Sequence, residues 1–275
     1  LVALSVLEII LLSLIWEQRY FNMIRSLFIF LILSISVCSA QIKTIKDIPF
    51  NVGEKLSFKA YYNWGFIWVN AGKVNFSVHR NSDSTMLLKS EARSLTSYDW
   101  LFKVRDTFKV TVTADSLKPL EFYRNTYEGG YWVKNQFEFD YANYLIRCQL
   151  NNSKISSNTK SIGYKKGVRD VLSSVYFART IDFSGYNIDD KIRLPMIVDG
   201  KIYPLYIRYH GKERVKLPGG RFYDAIKFTA ILIPGTIFKG GEDLTVWVTN
   251  DNRRVPLMVE SKILVGSVKA VINPF

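Results

Sequence analysis

The segment Val246 to Ile272 reads VWVTNDNRRVPLMVESKILVGSVKAVI, and its alternation of apolar and polar residues constrains the fold more than any other feature. A period of two puts successive side chains on opposite faces of an extended chain, so one face can be buried while the other stays wet. The pattern predicts strands at Leu244 to Thr249, Val255 to Leu264 and Ser267 to Ile272, with a turn at Asn250-Asp251-Asn252 and a bend at Gly266. Pro256 lacks an amide proton and needs an edge or bulge position. Trp247, Val255, Leu257, Val259 and Ile263 read as packing residues, with Pro256 shifting the local pairing.

The same rhythm fills the chain upstream. It predicts strands at Leu56 to Tyr62, Ala71 to Arg80, Met86 to Ser94, Lys103 to Ala114, Leu120 to Tyr127, Tyr131 to Tyr141, Tyr144 to Leu150 and Arg221 to Pro234. Glu128-Gly129-Gly130 and Asp199-Gly200 have the composition of hairpin turns. One segment breaks the pattern: in VLSSVYFARTI, Val171, Leu172, Val175, Tyr176 and Arg179 recur at helical spacing, and Asp170 is placed to cap the first turn. The expected fold is therefore all-β with one short helix, Asp170 to Thr180. The strands form an antiparallel curved sheet, arranged as a β-sandwich or as a partly open β-barrel.

The first forty residues read differently. From Met23, MIRSLFIFLILSISVCSAQ has a basic start at Arg25, an apolar core from Leu27 to Val37 and a small-residue cleavage site at Cys38-Ser39-Ala40. That is the layout of a secretory signal peptide cleaved after Ala40, and its core is short for a membrane span. Lipidation at Cys38 is the competing reading, disfavoured by Val37 before the cysteine. Residues 1–22 hold another apolar run, read as an early-assigned start; the competing reading is a transmembrane helix over Val2 to Trp16, which is short and contains Glu8. The expected organisation is residues 1–22 as an extra apolar segment, 23–40 as the signal peptide, and 41–275 as a single β-rich domain.

Export would permit disulfides, but Cys148 alone follows the cleavage site, so the core must hold the domain. In YLIRCQL it reads as a small buried apolar residue. The formal charge is +13. Basic residues such as Lys109, Arg208, Lys212, Arg214 and Lys216 are scattered through the strands rather than blocked into a tail. In an exported protein nucleic acid is not the expected partner, whereas a basic surface suits anionic lipid or the phosphates of lipopolysaccharide.

Several stretches resemble one family, the exported domain-of-unknown-function family 3108. They are GEKLSFKAYYNWGFIWVNAGKVNFSV (from Gly53), YDWLFKVRDTF (from Tyr98), PLEFYRNTYEGGYW (from Pro119), RDVLSSVYFAR (from Arg169) and the segment quoted first. The resemblance implies an exported, mainly β protein of the envelope of Gram-negative bacteria, placed in the periplasm or on its face. It supplies no activity and no catalytic residues. Long curved sheets are also similar to those of lipoprotein carriers of the Lol type, whose open half-barrel takes acyl chains; that likeness is one of fold alone.

A search for chemistry finds little. His79 and His210 have no partner at metal-ligand spacing, and no nucleophile elbow, phosphate-binding loop or dinucleotide fingerprint is present. In Phe137-Glu138-Phe139-Asp140 both acids fall on the solvent side of an alternating strand. Arg105 and Asp106 are adjacent and must point to opposite faces, so Asp106 reads as a structural group fixing a turn or salt bridge. No catalytic residue, metal or cofactor is expected, and the chain leans away from being an enzyme.

The most suggestive cluster is aromatic. Tyr62, Trp64, Trp68, Trp100 and Phe102 are the candidate rim of an apolar cleft, with Lys103 and Arg105 placed to hold an anionic headgroup. The expected function is non-enzymatic binding of a hydrophobic or amphipathic ligand such as lipid, with peripheral membrane contact. The alternative is an interaction module that docks on another envelope protein through sheet edges. An enzyme acting on glycans or peptides ranks last.

Overall fold

Strands that follow one another in sequence lie side by side in space nearly throughout the fold. The structure, a computed structural model, describes residues 42–45, 47–64, 67–233, 241–262 and 266–273. The expectations for residues 1–22 and for the signal peptide at 23–40 fall outside the described residues. All described elements belong to one unit, Ile42–Phe275, with its own hydrophobic cores.

The first meander holds β1 (Lys55–Trp64), β2 (Ile67–Arg80), β3 (Thr85–Ser94) and β4 (Val104–Thr113). It continues through β5 (Pro119–Glu128), β6 (Tyr131–Asp140), β7 (Leu145–Asn152) and β8 (Ile155–Gly163). After a helical segment come β9 (Lys191–Arg193) and a small hairpin of β10 (Met196–Val198) and β11 (Lys201–Tyr203). The second meander is β12 (Tyr206–Lys216), β13 (Phe222–Leu232), β14 (Gly241–Thr249), β15 (Pro256–Lys262) and β16 (Ser267–Ile272). The first strand of one meander pairs with the last of the other, with Phe58 opposite Ile272 and Asn63 opposite Ser267. The result is one fourteen-stranded antiparallel sheet with β8 and β9 at its margins. Those margins do not pair with each other, so the sheet is not closed into a barrel. Of the two expected arrangements, one continuous curved sheet is present rather than two sheets of a sandwich.

Alternation sets the faces. On β6, Val133, Asn135, Phe137 and Phe139 are buried while Trp132, Lys134, Gln136 and Glu138 are exposed. Register shifts at Ala60/Tyr61, between Tyr209 and Lys212, and at Trp247/Val248 interrupt the ladder. Such bulges bend a strand and increase its twist. Pro256 stands opposite Val248 at the last of them, where a missing amide is tolerated.

Two elements were not legible in advance. The β8 stretch ISSNTKSIG is polar at nearly every position and almost wholly exposed, so it has no buried face to set a period. A single helical turn, α1 (Asp99–Phe102), precedes β4.

The expected helix is α2 (Val171–Ala178). Asp170 caps it, accepting from the backbone amides of Leu172 at 2.9 Å and Ser173 at 3.0 Å. Complete burial pushes this carboxyl up to about 6 despite those bonds. Arg169 donates to the carbonyl of Leu117, in the β4–β5 turn, and stacks its guanidinium 3.9 Å from the Phe177 ring centre. Arg169 thus ties the start of α2 to the sheet. One core lies beneath it, with Val78, Leu88, Val110 and Ile146 packed together with Leu172 and Tyr176. Cys148 belongs to the same core, and burial pushes its thiol up to about 11.

Candidate functional site

The inward residues of both meanders are large and apolar, and although some pack together, as Leu56 and Phe58 do with Leu257 and Ile272, others leave a space between them. Phe58, Phe76 and Phe122 from the first meander and Phe228, Val246 and Ala270 from the second border one cavity of about 920 Å³. Sites for small organic ligands span roughly 300–1,000 Å³, so this one stands near the upper end. Helix α2 contributes Val171, Ser174, Val175 and Ala178, a set spaced to share one helical face. The β10–β11 hairpin contributes Met196, Ile197 and Val198.

Antiparallel connectivity places the β1–β2, β3–β4, β5–β6 and β7–β8 turns at one end of the sheet. Glu128 and Tyr131, flanking the β5–β6 turn, border the cavity, as does the exposed Lys154 in the β7–β8 turn. The cavity therefore extends from α2 to these hairpin tips, where it meets solvent.

Polar groups occupy two places on its wall. Near the hairpin tips, Asp199 reaches in from the β10–β11 turn and accepts from Asn135 Nδ2 at 2.7 Å and Arg124 Nη1 at 3.1 Å. Asp199 and Gly200 both adopt positive φ, 48° and 67°, the geometry that an Asp-Gly hairpin turn favours. At α2, Ser174 Oγ, Tyr176 Oη and Arg179 Nε are buried without a hydrogen-bond partner among the described residues. Burial, with the Glu54 carboxylate nearby, keeps the Tyr176 phenol protonated.

Asp106 faces inward on β4 and accepts from the Tyr127 amide at 3.1 Å. Burial, reinforced by the Glu128 carboxylate, pushes it up to about 7. Arg105, its neighbour, turns the other way and binds Asp99 through two bonds of 2.5 and 3.1 Å. The expected opposition of faces is present, and the partner of Asp106 is a backbone amide rather than a salt bridge.

Among the described residues no group of three or more His, Cys, Asp or Glu side chains could hold a metal ion. Glu138 and Asp140 both engage Arg147. His79 bonds Ser77, and His210 bonds Thr229.

The residues singled out in sequence lie beside the cavity's solvent end rather than on its wall. Tyr62 is half-buried on β1, and the side chain of Trp64 falls outside the described residues. Trp68 is 37 % exposed with the Lys269 amine 4.5 Å from its ring centre, and Trp100 is 80 % exposed on α1. Phe102 lies over Gly129, and the Lys103 amine sits 5.8 Å from the Tyr127 ring centre. None of Tyr62, Trp68, Trp100, Phe102, Lys103 and Arg105 borders the cavity. The lining that sequence reasoning missed carried one signal, a phenylalanine at inward positions of β1, β2, β4, β5 and β6, which looks the same in a filled core.

The fold is similar to that of a β-barrel-like protein of the domain-of-unknown-function family DUF1849 from Brucella abortus. The TM-score is 0.51 at 8% identity, covering 81% of this chain and 96% of that one. A protein of Bacteroides fragilis NCTC 9343, described as a candidate exported protein with a YmcC-like fold, aligns at a TM-score of 0.28 and 10% identity, over 85% of this chain and 100% of that one. Comparison with curated proteins found no match. The sequence profile of the DUF3108 family of proteins of unknown function matches residues 57–273. Spanning both meanders, the helix and the walls of the cavity, that match makes the chain a member of the DUF3108 family.

Proposed function

We propose that the protein is an exported, non-enzymatic binding protein that shelters the apolar part of an amphipathic ligand, such as the acyl chain of a lipid. The observation that carries this reading is the cavity of about 920 Å³ with walls of phenylalanine, valine and alanine from both meanders. Apolar surface held at that volume gains free energy when an apolar molecule replaces water against it. The exposed Lys154 and the Arg124–Asn135–Asp199 cluster near the hairpin tips offer charged and amide groups to a ligand head. Export to the periplasm rests on the signal-peptide layout of residues 23–40.

Mass spectrometry of organic extracts from the protein, purified from its native envelope without detergent, tests the reading. A stoichiometric lipid is expected, lost when Ala270→Trp fills the cavity and leaves the fold intact. An empty protein that also takes up no fluorescent fatty acid overturns it. The second reading, docking on an envelope protein through a sheet margin, draws on the exposed β8 strand. Crosslinking to a protein partner that Lys160→Pro abolishes would favour it.

A further inference from the structure

The end of the sheet where the cavity meets solvent is also where exposed apolar side chains gather. All three exposed tryptophans among the described residues, Trp68, Trp100 and Trp132, are there. Ile67 beside the β1–β2 turn is 67% exposed, and Ile155 beside the β7–β8 turn is 54% exposed. Trp100 and Leu101 project from α1 at 80% and 48% exposure. Away from this end Val52, Tyr144, Ile188 and Phe222 are exposed singly, which is ordinary for a protein surface.

Unpaired lysines stand among these apolar groups, although charge alone does not mark the end, since Lys118, Lys216 and Arg221 at the opposite end also form no ion pair among the described residues. Lys103, Lys134, Lys154 and Lys262 stand at or near this end and form no ion pair among the described residues. The acid of α1, Asp99, is matched by Arg105. Indole rings suit the boundary between headgroups and hydrocarbon, being apolar in body with one donor at the edge. Each lysine near an anionic membrane adds roughly fivefold to partitioning.

We propose that this rim docks the protein on an anionic lipid bilayer, with Trp100 and Leu101 entering the headgroup boundary and the lysines meeting phosphates. The apolar groups sit on separate turn tips interleaved with lysines. Shallow insertion of that kind needs no continuous apolar patch, whereas a stable protein interface buries one of roughly 800 Å² on each side. The proposal deepens the cavity reading and rests on it for its purpose: a mouth held at the membrane lets an acyl chain pass between bilayer and cavity without crossing water.

Vesicle flotation of residues 42–275 tests it, using phosphatidylcholine vesicles with and without phosphatidylglycerol. Uptake of a fluorescent fatty acid in vesicle-free solution is measured in parallel. Binding to the anionic vesicles is expected, weakened by salt. Trp100→Ser with Leu101→Ser should lower it by roughly tenfold or more. Both side chains are exposed, so the fold and the uptake in solution should be kept, and Tyr144→Ser should change neither. Absence of binding, or binding that the double variant leaves intact, overturns docking; equal binding to neutral vesicles overturns the anionic assignment. Vesicle binding without uptake in solution sinks the cavity reading and leaves docking standing.

Discussion

Arg179, just past the end of α2, and Glu54, in the turn before β1, form a two-pronged ion pair. Nη1 lies 2.6 Å from Oε1 and Nη2 lies 3.0 Å from Oε2, between residues 125 apart in the chain. Arg179 is 3% exposed, and its Nη2 also donates to the carbonyl of Arg253 at 3.0 Å. One side chain thus ties the helix to the start of the first meander and to the β14–β15 turn of the second. It fixes α2 as the wall that closes the cavity.

Replacing Arg179 by Met should destabilise the protein by about 3–5 kcal/mol, because Glu54 keeps its charge and loses its partner. Urea unfolding measures the loss. The double variant Arg179→Met, Glu54→Gln should be more stable than the single one, since no stranded charge remains. Equal stabilities would show that the packing of Arg179, not its charge, is what the helix needs.

Asp106 predicts a pH dependence. Its carboxyl titrates at about 7 in the fold, against roughly 4 in the unfolded chain. Between those values the folded state binds the proton more tightly, so this group's contribution to stability falls as pH rises through the window. Asp106→Asn keeps an acceptor for the Tyr127 amide and removes the titration. It should raise stability at about pH 8 by roughly 1–3 kcal/mol and have little effect below about pH 4. Asp170, raised to about 6, acts in the same sense, so part of the slope should persist in the variant. Thermal melts across that range decide the matter. A variant with an unchanged slope would mean that Asp106 is ionised without penalty.

Cys148 should be silent toward thiol reagents while the protein is folded. It is fully buried and its thiol is pushed up to about 11. Labelling at neutral pH should run roughly a hundredfold or more slower than in urea, at a rate set by opening of the fold. Fast labelling of the native protein would place the β7 side of the core within reach of solvent.

Gly129→Ala should loosen the rim from the sheet. Gly129 has φ of 58°, and a Cβ there would fall 2.2 Å from the Phe102 ring. The ring must shift and alanine must hold a positive φ, together at a cost of about 1 kcal/mol or more. A changed fluorescence spectrum of the neighbouring Trp100 would report the shift, and an unaltered spectrum with unaltered stability would count against this packing.

Much of the fold was legible because its signals are local. The strand from Tyr131 was readable from alternation alone, and the helix from the spacing of Val171, Leu172, Val175 and Tyr176. The β8 stretch was not, because a polar margin strand has no buried face to impose a period. The α1 turn was hidden too, since four residues cannot display a helical repeat. Tyr62, Trp68, Trp100, Phe102, Lys103 and Arg105 stood out by composition, and the structure brings most of them to the hairpin end. The cavity wall did not stand out, because Phe58 or Val246 looks the same facing a void as facing a neighbour.

The amino-acid sequence by itself determined a run of antiparallel strands around one helix, because period-two and helical patterns act over a few residues and suffice to choose each element. Only the tertiary structure decided that the strands join through β1 and β16 into one open sheet and that their inward faces leave a cavity between them. The space between those faces follows from curvature, bulges and the Arg179–Glu54 clamp acting together. Such a volume is a relation among distant segments, and no single stretch of the chain encodes it.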